Sequence, residues 1–572
     1  MKFTKNLRRS LKVGTDRRAV RLINHNRPAQ ARLLDSTRHS RRSGPTPTHH
    51  YVYLSSNGHQ TIEIEGPTVS RPLLQLARNF KYYRVIASIF TLCFSFSATA
   101  AQKTDGTSPS PNILLIVSED NGQELGCYGE PYVQTPILDQ LASEGVLFKN
   151  AYVAQAGCSQ SRASFLTGLY PHQNGQIGLA TWKFRMYDRD TPNLVRSLQT
   201  VGYRTGIIGK LHVNPESAFP FVFKAIPSSN FSRKNQDNYA TEAKRFMMAG
   251  EEPFFLSVNY PDAHRTFITQ VGGLPEKPLT GDDVQPLAYF GIDNAELRQQ
   301  TADYYNCMSR LDTLIGHLLK ALEETGKADN TIIAYIGDHG ADMLRGKRTS
   351  YEGGTRVPFI MTWPKHWKSD LLSTELVSLI DLTPTLLEAA GAKIIPNLPG
   401  RSLLPLLKGE SKEWRRYLFT EFHIHSAHNY YPQRTVQDDQ FKLIVNLMPG
   451  VTNPGYEFTN NRFFDNLNDT ILSAGDPVKS AYLRMERPAR YELYDLKEDP
   501  YEFTNLAANA THSKTLARLQ KTLQTWREKT NDPLLNHVNV LRLKEEVDAC
   551  FKEDGTPDKT LLNLTYPEYF FE

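Results

Sequence analysis

The chain has 572 residues, enough for two or more packed domains with an ample core. Its formal charge is +5, but residues 1–84 hold 17 Lys+Arg against 4 Asp+Glu. That surplus of 13 leaves −8 for everything after residue 84, so the basic overall balance gives no ground for expecting nucleic acid as a partner.

The basic stretch, residues 1–80, is rich in Arg, Ser and Pro with little periodicity and reads as disordered, or as translated sequence ahead of the true start. Residues 81–101 read differently. Lys81 and Arg84 flank a short apolar run that ends in small residues, with Ala98 and Ala100 in the small-x-small pattern of a secretory cleavage site. The run is too short for a comfortable membrane span, and Cys93 lacks the small residue before it that a lipoprotein signal needs. The expectation is export to the periplasm or the exterior, with no stable membrane span. Cys93 set aside, Cys127, Cys158, Cys307 and Cys550 are widely spaced and show no CxxC pattern. Neither a disulfide framework nor a zinc site follows, although one bridge stays open.

From Pro111 onward strands and helices alternate. Asn112–Ser118 (NILLIVS), Phe254–Asn259 and Thr331–Gly337 are continuous apolar runs, as in strands buried on both faces, and a short strand ends at Gly209. Thr135-Pro136 and Thr191-Pro192 open helices, and Ala295–Gly326 is a long helix with Leu311, Leu314, Ile315, Leu318 and Leu322 at helical spacing. This rhythm predicts an α/β fold with a mostly parallel central sheet covered by helices on both faces, over residues 108–415. Beyond it, YLFTEF, FKLIVNL and YELYDL read as strands and Leu516–Arg527 as a last helix. They predict a smaller α+β subdomain over 416–545, then a tail, 546–572.

Polar residues gather where apolar strands end, which is where open α/β sheets carry their sites. Glu119-Asp120 follow one strand and Asp338-His339 another. Either pair alone reads as a helix cap or a solvated turn. Two such pairs behind wholly apolar strands point instead to one hard cation, calcium or magnesium. Lys210 and His212, then Asp262, His264 and Arg265, follow two further strands, and Lys347 lies in a glycine-punctuated loop. Together they read as an anion pocket facing the metal. The stretch GCSQSRASFLTG sets Cys158, Ser161 and Arg162 where a loop enters a short amphipathic helix closed by Gly168. A helix start favours an anion, and the Arg162 guanidinium suits a tetrahedral oxyanion.

NILLIVSED, CSQSRASFLTGLYPHQNG, GKLH, GDHG and EGGTRVP stand in the order found in the type I sulfatases of the alkaline-phosphatase superfamily, which the chain resembles over about residues 110–545. GLYPHQNG, DAHR, YPQRTV, YELYDLKEDPYEFTNLA and TWREKTNDP resemble the heparan N-sulfatase (sulfamidase) branch. The resemblance implies that Cys158 is oxidised to formylglycine, the nucleophile, by a formylglycine-generating enzyme. It implies one calcium ion held by Glu119, Asp120, Asp338, His339 and residue 158. Arg162 and Lys210 would then hold the nucleophile and the sulfate, His212 would accept the proton that resets the aldehyde, and His264 and Lys347 would bind sulfate and assist the leaving group. The implied substrate is the N-sulfate of glucosamine in a heparan-type glycan. Asp262, Arg265, Glu421, His423, His425 and Arg434 are the expected sugar contacts, and a homodimer is an allowed assembly.

Three positions depart from the family pattern: Gln160 where Pro or Ala is usual, Glu119 where Asp is common, and His339 for a frequent Asn. Competing readings are an O-sulfatase on another sulfated polysaccharide, a phosphatase or phosphodiesterase of the superfamily, and a non-catalytic polysaccharide-binding relative that keeps Cys158 as a thiol.

Overall fold

The computed structural model describes residues 110–410, 413–456, 464 and 467–572. The expected disordered extension (1–80) and signal segment (81–101) lie outside them. No helix among the described residues is long and apolar enough to cross a membrane.

Eight strands form the main sheet: β1 (Asn112–Ser118), β2 (Val146–Tyr152), β3 (Arg204–Gly209), β4 (Phe223–Ala225), β5 (Phe254–Asn259), β6 (Thr331–Gly337), β7 (Phe359–Thr362) and β8 (Leu371–Ser378). Their order is β4-β3-β5-β1-β6-β7-β2-β8, and every pairing is parallel except the two made by β7. All residues of β1, β5 and β6 are buried. One core on the sheet sets Leu114 and Ile116 against the helix Ala295–Glu323. The other sets Ile113, Leu115 and Val117 with Phe165 and Leu166 and the helix Leu382–Ala389. Adjacent residues of β1 serve opposite cores because strand side chains alternate in direction.

Local chemistry adjusts the expected boundaries. The helix expected from Thr191-Pro192 starts at Leu194, because the Asn193 side chain accepts from the Arg196 N–H at 3.1 Å and caps it. The helix Cys158–Thr167 starts and stops where the sequence places it, with Gly168 at φ 75° as its left-handed stop. It is not amphipathic, however: all ten residues are buried, with Ala163, Phe165 and Leu166 in the core of the main sheet, so the helix is enclosed rather than laid on a surface.

The second sheet, β12-β11-β10-β9, is antiparallel: β9 (Leu418–Phe422), β10 (Gln433–Gln437), β11 (Phe441–Asn446) and β12 (Tyr491–Asp495). The helix Ser513–Lys529 packs Leu519, Leu523 and Trp526 onto Val436, Leu443 and Leu493, and the same core takes in Ala154, Tyr170 and Ile380 from the first region. That helix is not the last. His537–Asp548 forms another, with Val540, Leu543 and Val547 at helical spacing buried against Ile177, Phe184, Tyr566 and Phe570. The stretch expected to be a tail therefore closes a core of its own.

Candidate active site

Four neighbouring strands, β3, β5, β1 and β6, deliver polar residues from their carboxyl ends to one place. Glu119 and Asp120 follow β1, Lys210 follows β3, Asn259 closes β5, and Asp338 and His339 follow β6. The helix Cys158–Thr167 adds Cys158 and Arg162, and the loop after β6 adds Lys347. Gly209 permits the convergence: its φ is 84°, and a Cβ there would sit 2.2 Å from the Asn259 carbonyl oxygen. Asp120 (φ 51°) and His212 (φ 56°) adopt left-handed backbone without being glycine, a strain typical of functional sites.

The cluster is fully buried and densely paired. Arg162 donates to Glu119 at 2.7 Å, to Asp338 at 3.2 Å and to Asn259 Oδ1 at 2.7 Å. Lys210 donates to the other Glu119 oxygen, and Lys347 donates to both Asp120 oxygens at 2.9 Å. The His339 Nε2 atom lies 3.3 Å from Cys158 Sγ, 3.2 Å from Asp120 Oδ1 and 3.6 Å from Asp338 Oδ1. Burial alone would raise the Glu119 carboxyl, but Lys210 and Arg162 hold it well below the usual carboxylate range. Burial works against a charged His339, yet Asp338 and Asp120 raise it to about 9. The carboxylates facing His339 thus draw in positive charge beyond that of the lysines and the arginine.

These residues fit a divalent cation. Ligand atoms of Asp120, Cys158 and His339 lie within 4.8 Å of one another, as do those of Glu119, Cys158 and Asp338, and those of Glu119, Asp120 and His264. Three of the six residues, Glu119, Asp120 and Asp338, offer carboxylate oxygens, the donors a hard cation prefers. His212 stands next to this cluster with neither ring nitrogen hydrogen-bonded, and burial together with Lys210 pushes its pKa well below the ordinary value. An unpaired, neutral imidazole beside fixed cations is suited to accept a proton.

A cavity of about 650 Å³ opens over the cluster, lined among others by Trp182, His264, Arg265, Lys347, Arg348 and His425. The expected sugar contacts divide here: Arg265 and His425 line the cavity, and the other four do not. Asp262 is wholly buried, its carboxylate taken up by Arg310 (2.8 Å to each oxygen), Arg233 (2.9 Å) and Gln236 (3.1 Å). Glu421 accepts from the His172 N–H at 2.8 Å and contacts its Nδ1 at 2.6 Å. Arg434 forks onto Asp532 through Nε and Nη2 at 2.8 and 2.7 Å, and Nη2 also lies 2.9 Å from His423 Nε2. Glu421, His423 and Arg434 thus tie the small sheet to the segments around it, because paired charges can be buried where single ones cannot.

Several residues of the site are missing from the sequence reading. Asn259 fixes Arg162, and Asp342 pairs with Arg348 beside Lys347. Gln155 and Gln160 both donate to the Ile424 carbonyl, at 3.0 and 2.7 Å, one residue before His425. Asn259 closing an apolar strand was a readable signal; Gln155 carried none, and Gln160 stood out only as a departure from the family pattern until their shared acceptor was known. Cys127, Cys158, Cys307 and Cys550 are all free, so the bridge left open by the sequence does not form.

Comparison with known proteins agrees with this geometry. Residues 111–392 match the sulfatase family, and residues 337–451 match the family described as N-sulphoglucosamine sulphohydrolase, C-terminal. The chain is 34% identical over 467 residues to human N-sulphoglucosamine sulphohydrolase, covering 74% of this chain and 91% of that protein. It is 30% identical over 482 residues to an ulvan-active sulfatase of Formosa agariphila, covering 81% and 90%. The crystal structure of a putative sulfatase from Bacteroides thetaiotaomicron superposes with a TM-score of 0.57 at 24% identity, over 74% of this chain and 94% of that one, a likeness of fold. The chain therefore belongs to the sulfatase family and is a hydrolase of sulfuric esters or sulfamates.

Proposed function

We propose that the protein removes the N-sulfate of a glucosamine in a heparan-type glycan, with Cys158 converted to formylglycine and one calcium ion bound. The observation that carries this reading is the cage itself: Arg162, Lys210 and Lys347 interleave with Glu119, Asp120 and Asp338 around the side chain of residue 158.

Glu119, Asp120, Asp338, His339 and residue 158 would hold the calcium, which supplies positive charge against the negative charge of a sulfuryl group. The hydrated aldehyde at 158 supplies one hydroxyl to attack and a second to expel sulfate afterwards. Arg162, held by Glu119, Asp338 and Asn259, presents a stiff guanidinium to that hydroxyl and to the sulfuryl oxygens. Lys210 and Lys347 flank the same oxygens. His264 donates a proton to the departing nitrogen, which leaves poorly as an anion, and His212 accepts the one that resets the aldehyde. Arg265 and His425, which line the cavity, would meet the sugar. A formylglycine-generating enzyme is the maturation partner, and export through residues 81–101 brings the protein to its glycan. The sulfamidase branch is favoured over an O-sulfatase by the match of residues 337–451 and by the 34% identity to the human enzyme.

The test is sulfate release from N-sulfoglucosamine beside 6-O-sulfoglucosamine. Preference for the N-sulfate by tenfold or more in kcat/KM is expected, on the order of 1.4 kcal/mol. Equal or reversed preference would reassign the enzyme to O-sulfate esters.

A further inference from the structure

We infer that Phe231 is a positioning residue for the reaction: its ring fixes the plane of the His264 imidazole and covers the ammonium of Lys210. The rate expected from this rests on the sulfatase reading of the site; the structural part does not.

Phe231 lies in the polar segment between β4 and the helix Asn238–Met247. Its ring stacks on that of His264 with centroids 3.8 Å apart and planes 14° from parallel. The Lys210 Nζ atom stands 5.2 Å from the centroid of the same ring. One exposed phenylalanine is ordinary on a protein surface, and Phe231 is 36% exposed. A ring that meets both a proton-transfer candidate and an anion-binding candidate is not explained by burial, because it leaves so much of itself in water. A cation over an aromatic face is attracted by the ring's quadrupole, and that attraction grows where water is excluded.

The segment is built to hold the ring there. Asn230 (φ 47°) and Arg233 (φ 50°) flank Phe231 with left-handed backbone, which turns the chain sharply at the ring. Arg233 donates to the carbonyl of Phe231 and to the carbonyl of His264, so one guanidinium clamps both stacking partners. The same guanidinium is anchored on Asp262 at 2.9 Å, and Arg310 and Gln236 secure the carboxylate from the other sides. Asp262, expected as a sugar contact, thus becomes the foundation of the wall that carries Phe231. His264 is further held by contact of its Nδ1 with the Arg265 carbonyl, which leaves Nε2 as the end able to act. With its face, its backbone and one nitrogen fixed, the imidazole keeps a single orientation, and a misplacement of even 1 Å at such a group costs up to roughly a hundredfold in rate.

The test compares F231A, F231L, F231Y and F231W in the full chain by two readouts. In histidine-labelled protein, the ring resonance of His264, assigned from its disappearance in H264Q, is shifted by the stacked phenyl ring. F231L should abolish that shift and F231Y should retain it. With an aryl sulfate as probe, kcat should fall about tenfold in F231L and F231A while KM changes by less than about threefold, and F231Y and F231W should restore most of kcat. Thermal midpoints of the four variants should stay close to the parent. A wild-type kcat in F231L, or a His264 resonance indifferent to F231L, overturns the inference. A parent protein that releases no sulfate from any ester defeats the sulfatase reading instead, and the resonance readout then decides the stacking alone.

Discussion

Two of the buried charge clusters among the described residues stand in contrast, and only one of the pair lines the cavity. At the strand ends of the main sheet, three carboxylates, two lysines and an arginine surround Cys158, with His212 unpaired beside them and the 650 Å³ cavity above. Behind β9 and β10, Glu421, His172, Arg434, His423, Arg527 and Asp532 form a cluster as deeply buried, whose acids are each met by an imidazole or a guanidinium. The comparison teaches that buried charge alone does not mark chemistry. Here chemistry is marked by groups left with capacity to spare next to open space; the second cluster also leaves His172 Nε2 and Arg527 Nη2 without a hydrogen bond, but none of its residues lines that cavity.

The widest separation between the two should come from substitution. Cys158→Ala is expected to lower sulfate release at least about a thousandfold with the thermal midpoint kept, and Asp120→Ala to lose bound metal, read by elemental analysis, as well as activity. Asp532→Ala strands Arg434 and Arg527 in the interior and should cost about 3–5 kcal/mol of stability, read as a drop in the urea midpoint. If Asp532→Ala were neutral while Cys158→Ala unfolded the chain, the roles assigned to the two clusters would be reversed.

Acid sharpens the same contrast. Burial alone would raise Glu421, but His172 and Arg434 bring it down to about 2 from 4.5. Its stabilising contribution is therefore present above pH 4.5 and lost as pH falls toward 2. Burial, then Arg434, lowers His423 to about 3 from 6.5. Between those values the unfolded chain takes up a proton that the folded one refuses, so stability also falls as pH drops from 6.5. The slope is at most about 1.4 kcal/mol per pH unit for each group. Urea midpoints should decline from pH 6.5 downward, and His423→Gln should flatten the upper part of that decline. A midpoint level from pH 7 to 4 in the parent would contradict the pairing.

The smallest effect expected is at Gln160. Gln160→Ala removes one of two amides that hold the Ile424 carbonyl, and Gln155 keeps the other. We expect kcat/KM per converted enzyme to fall about three- to tenfold, on the order of 1 kcal/mol for one hydrogen bond, with conversion at residue 158 measured separately.

Much of the first cluster was legible in the sequence. Strands buried on both faces are unbroken apolar runs, so β1, β5 and β6 declare themselves, and the polar residues just beyond each are conspicuous for that reason. The second cluster was not legible as structure. Glu421, His423 and Arg434 look on paper like ligand contacts, because the partners that saturate them, His172 and Asp532, stand far away in sequence. The Asp262 carboxylate was misread in the same way, since Arg233 and Arg310 reach it from other elements. Phe231 sits in a segment without periodicity, where nothing short of three-dimensional placement reveals a role. The closing helix His537–Asp548 did leave a trace in Val540, Leu543 and Val547, apolar residues at helical spacing, although the exposed Val538 and Leu541 blur the pattern.

One measurement goes most directly to the account's centre: the mass of the tryptic peptide Asn150–Arg162 from protein made in its native host. Formylglycine is expected at position 158 despite the neighbouring Gln160. A peptide that carries unmodified cysteine throughout, from a preparation that still releases sulfate, would contradict it.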